Sequence, residues 1–203
     1  MENQDWISPP PPKDLTGQEI FTGTGASISD FWRFAMSDLR MNNTRGYLAE
    51  FLVANAIGLQ NVKRTEWDAY DLLLDDIRIE VKSSAYLQAW EQPRLSRISF
   101  SGLRGTRYHP RHGYDPVGRG LNAHVYVFCV QTATSHETYE PLNVNQWSFY
   151  VLKRSVLLQH GRNSIGLQAV SRLSDGPTAW ANLRAEILHA SKLEVIEDSP
   201  WWD

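Results

Sequence analysis

The 203-residue sequence has one cysteine, Cys129, and only five lysines. A single cysteine excludes an intrachain disulfide framework and a metal cluster built on several thiolates. The sequence has neither a Walker A motif nor a dinucleotide-binding glycine pattern, so no nucleotide cofactor is expected. It also has no apolar run as long as a membrane span, and its N-terminal residues lack the basic and apolar regions of a signal peptide. We therefore expect a cytoplasmic protein with no membrane partner.

The net charge of −3 is distributed unevenly along the chain. The segment 94–119 has one acid, Asp115, and six arginines, which are Arg94, Arg97, Arg104, Arg107, Arg111 and Arg119. Its net charge of +5 leaves −8 on the remainder of the chain. Clustered arginine charge favours a polyanion such as nucleic acid as partner, with the arginines gripping its phosphates. The alternative is that these arginines pair with the surplus acids of the remainder.

The segment 70–82 has the alternating pattern of two β-strands joined by a turn at Asp75-Asp76. If Leu74 pairs with Ile77, this register places Asp71 opposite Glu80. Side chains alternate between the two faces of a strand, so each face can be read from the sequence. One face is apolar and carries Tyr70, Leu72, Leu74, Ile77, Ile79 and Val81. The other face carries Asp71, Leu73, Arg78, Glu80 and Lys82.

Two carboxylates that face each other across a hairpin repel each other, and a cation between them relieves the repulsion. Carboxylate oxygens suit Mg²⁺, and Lys82 lies on the same face as Glu80. The pattern predicts a metal-dependent hydrolytic centre at Asp71 and Glu80. The alternative is a solvated sheet face that holds cross-strand ion pairs.

Asp71, the triplet Glu80-Val81-Lys82 and Glu50 on a preceding helix resemble the PD-(D/E)XK nuclease superfamily. The resemblance extends over residues 44–130, and Tyr70 stands where many members carry proline. It implies a restriction-endonuclease-like fold, in which the aspartate and the glutamate bind divalent metal. The expected cofactor is Mg²⁺, and Mn²⁺ is expected to substitute for it.

The resemblance also implies roles for the other residues of the pattern. The carbonyl of Val81 would join the metal ligands, and Lys82 would serve the attacking water. Glu50 would bind a second metal or orient water, although it could instead pair with an arginine such as Arg45. The expected function is a DNA endonuclease, and a homodimer is expected because cutting both strands needs two centres. The alternative is a nucleic-acid-binding or assembly module that keeps the fold without catalysis.

Residues 1–20 include a polyproline stretch and are expected to be flexible, followed by one domain over residues 21–203. We expect a helix starting at Ser29 or Asp30, a buried helix over 45–57, strands over 124–130, 146–152 and 164–170, and a helix over 177–190. The glycine-rich stretch 102–120 is expected to be a mobile loop. This order of elements predicts an α/β (α+β) fold with a mixed central β-sheet flanked by helices.

Overall fold

The computed structural model describes residues 7–64 and 69–196. The chain divides into two compact units, residues 1–38 and residues 39–203. The division expected from the sequence, with its boundary after residue 20, stays a prediction.

Helix α1 (Ile28–Ala35) lies in the smaller unit and begins close to the predicted start. Its first turn has a capping box, in which the Ser27 side chain accepts the Asp30 N–H and the Asp30 carboxylate accepts the Ser27 N–H. Upstream, the Glu19 carboxylate accepts the backbone N–H groups of Thr16 and Gly17. Short-range hydrogen bonds thus define the backbone of this part of the unit.

The larger unit holds all eight strands that the described residues form. In chain order they are β1 (Leu72–Leu74), β2 (Ile77–Ala85), β3 (Ser99–Ser101), β4 (Gly105–His109), β5 (Gly113–Gly120), β6 (Val125–Gln131), β7 (Trp147–Lys153) and β8 (Ser164–Gly166). The helices of this unit are α2 (Asn42–Ala56), α3 (Arg154–His160), α4 (Leu167–Leu173) and α5 (Leu183–Ala190).

A four-stranded sheet in the order β1-β2-β6-β7 forms the centre of this unit. Strands β2 and β6 run parallel, whereas β1 pairs with β2, and β6 with β7, in antiparallel fashion. The sheet is therefore mixed, and the predicted combination of a mixed central sheet with helices is confirmed. All seven residues of β6 are buried, as expected for a strand covered on both faces.

Two apolar clusters lie on the two faces of the central sheet. One cluster joins Ile79 and Val127 of the sheet to Val53 of α2 and Ile187 of α5. It also contains the fully buried thiol of Cys129. The second cluster is formed by residues of β6, β7, β3, α3 and α4, among them Phe128, Leu152, Phe100, Leu157 and Val170. Alternate residues of β6 thus pack into different clusters, whereas Ile79 and Val81 of β2 pack into the first cluster.

Two stretches differ from the expectation of the sequence. The glycine-rich stretch 102–120 is not a loop, because β4 and β5 form an antiparallel hairpin with a register shift between Thr106 and Tyr108. The stretch 164–170 is a strand only in its first three residues, β8, which pairs with β3. Helix α4 begins directly after Gly166, and its Val170 packs into the second cluster. Apolar residues at 165, 167 and 170 fit both a strand followed by a helix and a continuous strand.

Helix α2 covers most of the predicted range but is not buried all round. It begins three residues earlier than Arg45, and Phe51 is 62% exposed. The predicted last helix is shorter than expected, because a 3₁₀ turn over residues 180–182 precedes α5. Within residues 7–64 and 69–196, no helix is both long enough and apolar enough to cross a bilayer.

Candidate active site

Asp71 lies at a β-bulge immediately before β1. Leu74 pairs with Ile77 as predicted, but the ladder ends with Leu72 opposite Ile79. The Asp71 N–H donates to the carbonyl of this same Ile79 at 3.0 Å. Two residues of the first strand therefore oppose one residue of β2, which is the pattern of a bulge. The predicted direct pairing of Asp71 with Glu80 is wrong for this reason.

The bulge changes the directions of the side chains that precede β1. One extra residue reverses the alternation of faces, so Tyr70 packs with the second apolar cluster and not with Leu72 in the first. The Asp71 carboxylate turns toward the edge of β2, where its Oδ2 accepts the Val81 N–H at 2.7 Å. A strand residue directs its N–H and C=O toward the same edge, so the Val81 carbonyl faces the same side as Asp71.

Glu80 and Lys82 project from one face of β2 and form an ion pair. The Lys82 Nζ atom lies 2.6 Å from Glu80 Oε1, and both side chains are mostly buried. Asp71 and Glu80 together line a cavity of about 130 Å³. The remaining lining comes from the start of the β4–β5 hairpin and from β6, through residues that include Leu103, Thr106, Asn122 and Tyr126. The structure thus brings Asp71, Glu80 and Lys82 together.

Glu50 reaches this region from α2, which packs on the apolar face of β2. Its Oε2 atom lies 2.9 Å from Arg64 Nε, so it does have an arginine partner, although not the predicted Arg45. Glu50 and Asp71 line a second cavity of about 320 Å³. Asp71 therefore stands at the border of both cavities.

Arg45 lies elsewhere on α2 and is buried. Its guanidinium donates to the Arg40 carbonyl and to Asn42 Oδ1, and lies 3.5 Å from Gln88 Oε1. No carboxylate of the described residues pairs with it. Burial lowers the pKa of Arg45 below its usual value. The side chain of Arg45 is therefore bound by neutral oxygens, and it does not neutralise Glu50.

The three carboxyl groups of the site hold their protons more tightly than free carboxyls do. Burial raises the pKa of Glu80 to about 7, and the charge of Asp71 adds to the rise. Burial also raises the pKa of Asp71, although the Val81 N–H and the Lys82 charge oppose the change. The pKa of Glu50 is raised to about 7 by burial and by Asp71, against the charge of Arg64. Negative charge is thus crowded in a partly dehydrated site.

The donors available for a metal ion are oxygen atoms, which suit Mg²⁺ and Mn²⁺. Asp71, Glu80 and the Val81 carbonyl face one side of the hairpin, and a cation there would offset the crowded negative charge. Among residues 7–64 and 69–196, no three His, Cys, Asp or Glu side chains already form a metal cluster. Because Glu80 is already paired with Lys82, a metal ion bound by Glu80 would compete with Lys82 for its carboxylate.

The six arginines of residues 94–119, which we call the basic segment, differ in their exposure and in their partners. Arg107 of β4 is bound to the buried Asp115 of β5, with Nη2 and Nε each 3.2 Å from Oδ2. Arg107 thus has an acid partner, but this acid belongs to the segment itself and not to the remainder of the chain. Arg94, Arg97, Arg111 and Arg119 are exposed, and Arg104 is partly buried. Arg104 lies between Leu103 and Gly105, both of which line the smaller cavity.

Several residues of the site were not predicted from the sequence. Arg64 is one, because the path of the chain from α2 to β1 brings it to Glu50 from 14 residues away. Tyr47 and Phe51 of α2 also line the larger cavity. Their sequence signal was available, since Tyr47 lies three residues before Glu50 and four before Phe51, a spacing that places Tyr47 beside both on a helix. Gln88 lies eight residues after Glu80 and is not a surface residue. Its side chain is buried and donates to Ala85 and Ser96.

The arrangement can bind a hard cation, hold a phosphate near Lys82 and admit a ligand from two cavities that meet at Asp71. Comparison of the chain with protein-family models, curated proteins and solved structures finds no match.

Proposed function

We propose that this protein is a Mg²⁺-dependent nuclease of the PD-(D/E)XK type, with a restriction-endonuclease-like fold, that hydrolyses phosphodiester bonds in DNA. The observation that carries the proposal is the set of charged groups at one sheet edge. Asp71 and Glu80 line one cavity, and Lys82 lies 2.6 Å from Glu80. A solvated ion-pair face would leave these carboxyls with ordinary pKa values, whereas burial raises both.

Asp71, Glu80 and the Val81 carbonyl would hold the metal, with Mn²⁺ able to replace Mg²⁺. A bound divalent ion polarises a phosphate and lowers the pKa of a water molecule. The Lys82 ammonium orients that water and offsets charge that develops on the phosphate. The pKa of Glu50, raised to about 7, suits it to accept a proton from water near neutral pH. Arg64 keeps the Glu50 carboxylate in position until substrate arrives.

The exposed arginines of the basic segment would bind the phosphate backbone. Such contacts supply affinity but little sequence information. Arg104 adjoins the smaller cavity and would act closest to the scissile bond. Cutting both strands of a duplex would need two centres, and a homodimer would supply them.

A second candidate is a nucleic-acid-binding or assembly module without catalysis. The observation that favours it is that Glu80 and Glu50 already have cationic partners, Lys82 and Arg64. In a module of this kind these pairs would serve the fold, and a metal bound beside them would not lead to cleavage.

The experiment that tests the function is a cleavage assay with single-stranded, linear duplex and circular DNA. We expect wild type to cut with Mg²⁺ or Mn²⁺ and to lose activity in EDTA. Lys82→Ala is expected to lower the rate by about 100-fold or more, because it removes a charge beside the reacting phosphate. The matched control is Lys153→Ala, an exposed lysine at the end of β7, which should leave the rate unchanged. Metal binding by wild type without cleavage of any substrate would favour the non-catalytic module.

A further inference from the structure

The larger cavity beside Asp71 is mainly apolar, unlike the smaller one. Its volume is about 320 Å³, which is within the range of about 300–1,000 Å³ for pockets that hold small organic ligands. Helix α2 supplies Tyr47, Glu50 and Phe51, and the chain that follows α2 supplies Leu59, Val62 and Arg64. Asp71 and Leu72 form the side next to β1.

Two apolar residues of this cavity, one of them aromatic, are exposed to a degree that packing does not explain. Phe51 is 62% exposed and Val62 is 49% exposed, although α2 buries Ala49 and Val53 completely on its sheet-facing side. Tyr47 lies one helical turn before Phe51, so the two rings belong to one face of the helix. The Arg64 guanidinium lies 4.7 Å from the centre of the Tyr47 ring. Together they offer flat surfaces on which another ring can stack.

The position of Asp71 connects this apolar cavity to the metal ligands. Asp71 lines both cavities, with Glu80 in the smaller and Glu50 in the larger. A phosphate bound at Asp71 and Glu80 would therefore have an apolar, aromatic cavity directly beside it. In a nucleic acid, the planar apolar group that adjoins a phosphate is the nucleobase.

We propose, on the basis of the proposed nuclease function, that the cavity binds an unpaired nucleobase next to the scissile phosphate. The substrate is then a strand that is single at the point of cleavage. A paired base is stacked inside the duplex and cannot enter a lateral cavity without being flipped out, whereas an unpaired base enters at little cost. Stacking on aromatic side chains is tolerant of sequence, so the cavity selects for an unpaired strand and not for a particular base.

The first test measures binding of an oligonucleotide with the fluorescent base 2-aminopurine, as a single strand and as a duplex. It uses full-length Lys82→Ala protein with Mg²⁺ so that cleavage does not interfere. We expect the single strand to bind with quenched fluorescence, because the base stacks on Phe51 and Tyr47. Adding Phe51→Ala should weaken single-strand binding by about tenfold and abolish the quenching. Adding Phe51→Tyr should preserve both.

The matched control is Trp90→Ala, which removes an aromatic ring that is 56% exposed and does not line the cavity. It should leave binding and quenching unchanged. Because Phe51 is largely exposed, its variants should keep the melting temperature of the parent protein. The proposal is overturned if the duplex binds as well as the single strand, or if Phe51→Ala weakens binding to both by the same factor.

The second test measures cleavage and separates this inference from the function on which it rests. In the otherwise wild-type protein, Phe51→Ala should lower kcat/KM for single-stranded DNA by about tenfold and leave the slower duplex rate unchanged. Cleavage that prefers duplex overturns the cavity assignment but leaves the nuclease intact. Absence of all cleavage, with quenching that still depends on Phe51, overturns the nuclease but supports the cavity as a base-binding site.

Discussion

The β1–β2 hairpin and the β4–β5 hairpin hold their charged residues in opposite ways. At the first, Asp71 and Glu80 share a cavity, and burial raises the pKa of both carboxyls. At the second, Asp115 is buried with Arg107, and its Oδ1 also accepts the Val117 N–H at 2.9 Å. The first hairpin buries two acids close together with one lysine, whereas the second buries one acid that is paired with an arginine of the same hairpin.

The difference shows which charged residues serve a ligand and which serve the fold. A buried carboxylate whose oxygens are bound by arginine and backbone N–H groups needs no ligand to compensate its charge. Carboxylates whose pKa is raised by burial, and for Glu80 also by the neighbouring Asp71, leave part of their negative charge uncompensated, which is the state that a metal ion would relieve. Buried charge alone therefore does not identify a site. What distinguishes the first hairpin is the imbalance of charge.

The largest effect is expected from a substitution in the β4–β5 hairpin. Asp115→Ala should lower the free energy of unfolding by about 3 kcal/mol, because it leaves the largely buried Arg107 without its carboxylate. Thermal unfolding and limited proteolysis would measure this effect. The control Glu91→Ala removes an exposed acid and should change stability by less than about 0.5 kcal/mol. An unchanged melting temperature in Asp115→Ala would show that Arg107 is not a structural residue.

A smaller effect of opposite sign is expected at the first hairpin. The pKa of Glu80 is raised to about 7, so ionisation of this carboxyl disfavours the folded state as the pH rises from its ordinary value of 4.5 to above 7. At pH 8 without metal, Glu80→Gln should therefore increase the free energy of unfolding by about 1 kcal/mol. Thermal unfolding in EDTA would measure this gain.

Glu80→Gln should also lose the thermal stabilisation that a divalent metal ion gives to wild type. Mg²⁺ at about 100 times its dissociation constant should stabilise wild type by about 2.7 kcal/mol, whereas Glu80→Gln should show almost no shift. The control Asp76→Asn, in the exposed turn of the same hairpin, should respond as wild type does. If Glu80→Gln destabilises the metal-free protein, its ion pair with Lys82 outweighs the crowding of acids.

The smallest effect concerns the exposed arginines. Replacing Arg111 and Arg119 together by glutamine should weaken DNA binding for every sequence. The slope of log K against log salt should become shallower by about 0.9 for each phosphate that the variant no longer binds. Thermal stability should be nearly unchanged, because both side chains are exposed. A control that neutralises the exposed Arg172 and Lys192 should leave the slope as it is. If the two double variants have equal salt slopes, the basic segment does not contribute to DNA binding.

The sequence was a good guide where one local pattern decided the structure. The turn at Asp75-Asp76 and the mixed sheet followed from the alternation of residues and from the order of elements. The bulge did not, because alternation cannot show that Asp71 donates its N–H to the carbonyl of Ile79, which Leu72 already opposes. Arg64 was missed because only the folded path of the chain brings it to Glu50. The sequence predicts a loop where the β4–β5 hairpin lies, because the glycines of this stretch resemble those of mobile segments.

The parallel pairing of β2 with β6 sets the time at which the candidate active site forms during folding. Hairpins of neighbouring strands form in about 1–10 μs, whereas two parallel strands pair only after the long stretch of chain between them has folded back as a loop. Next to this pair, the Arg78 N–H donates a hydrogen bond to Nδ1 of His124, a residue 46 positions later in the sequence. During synthesis at about 5–20 residues per second, β2 emerges seconds before β6 can cover it. Until then Glu80, the acid of β2, is hydrated, with an ordinary proton affinity. A nascent or unfolded chain therefore lacks the grouping of buried acids on which the proposed function rests.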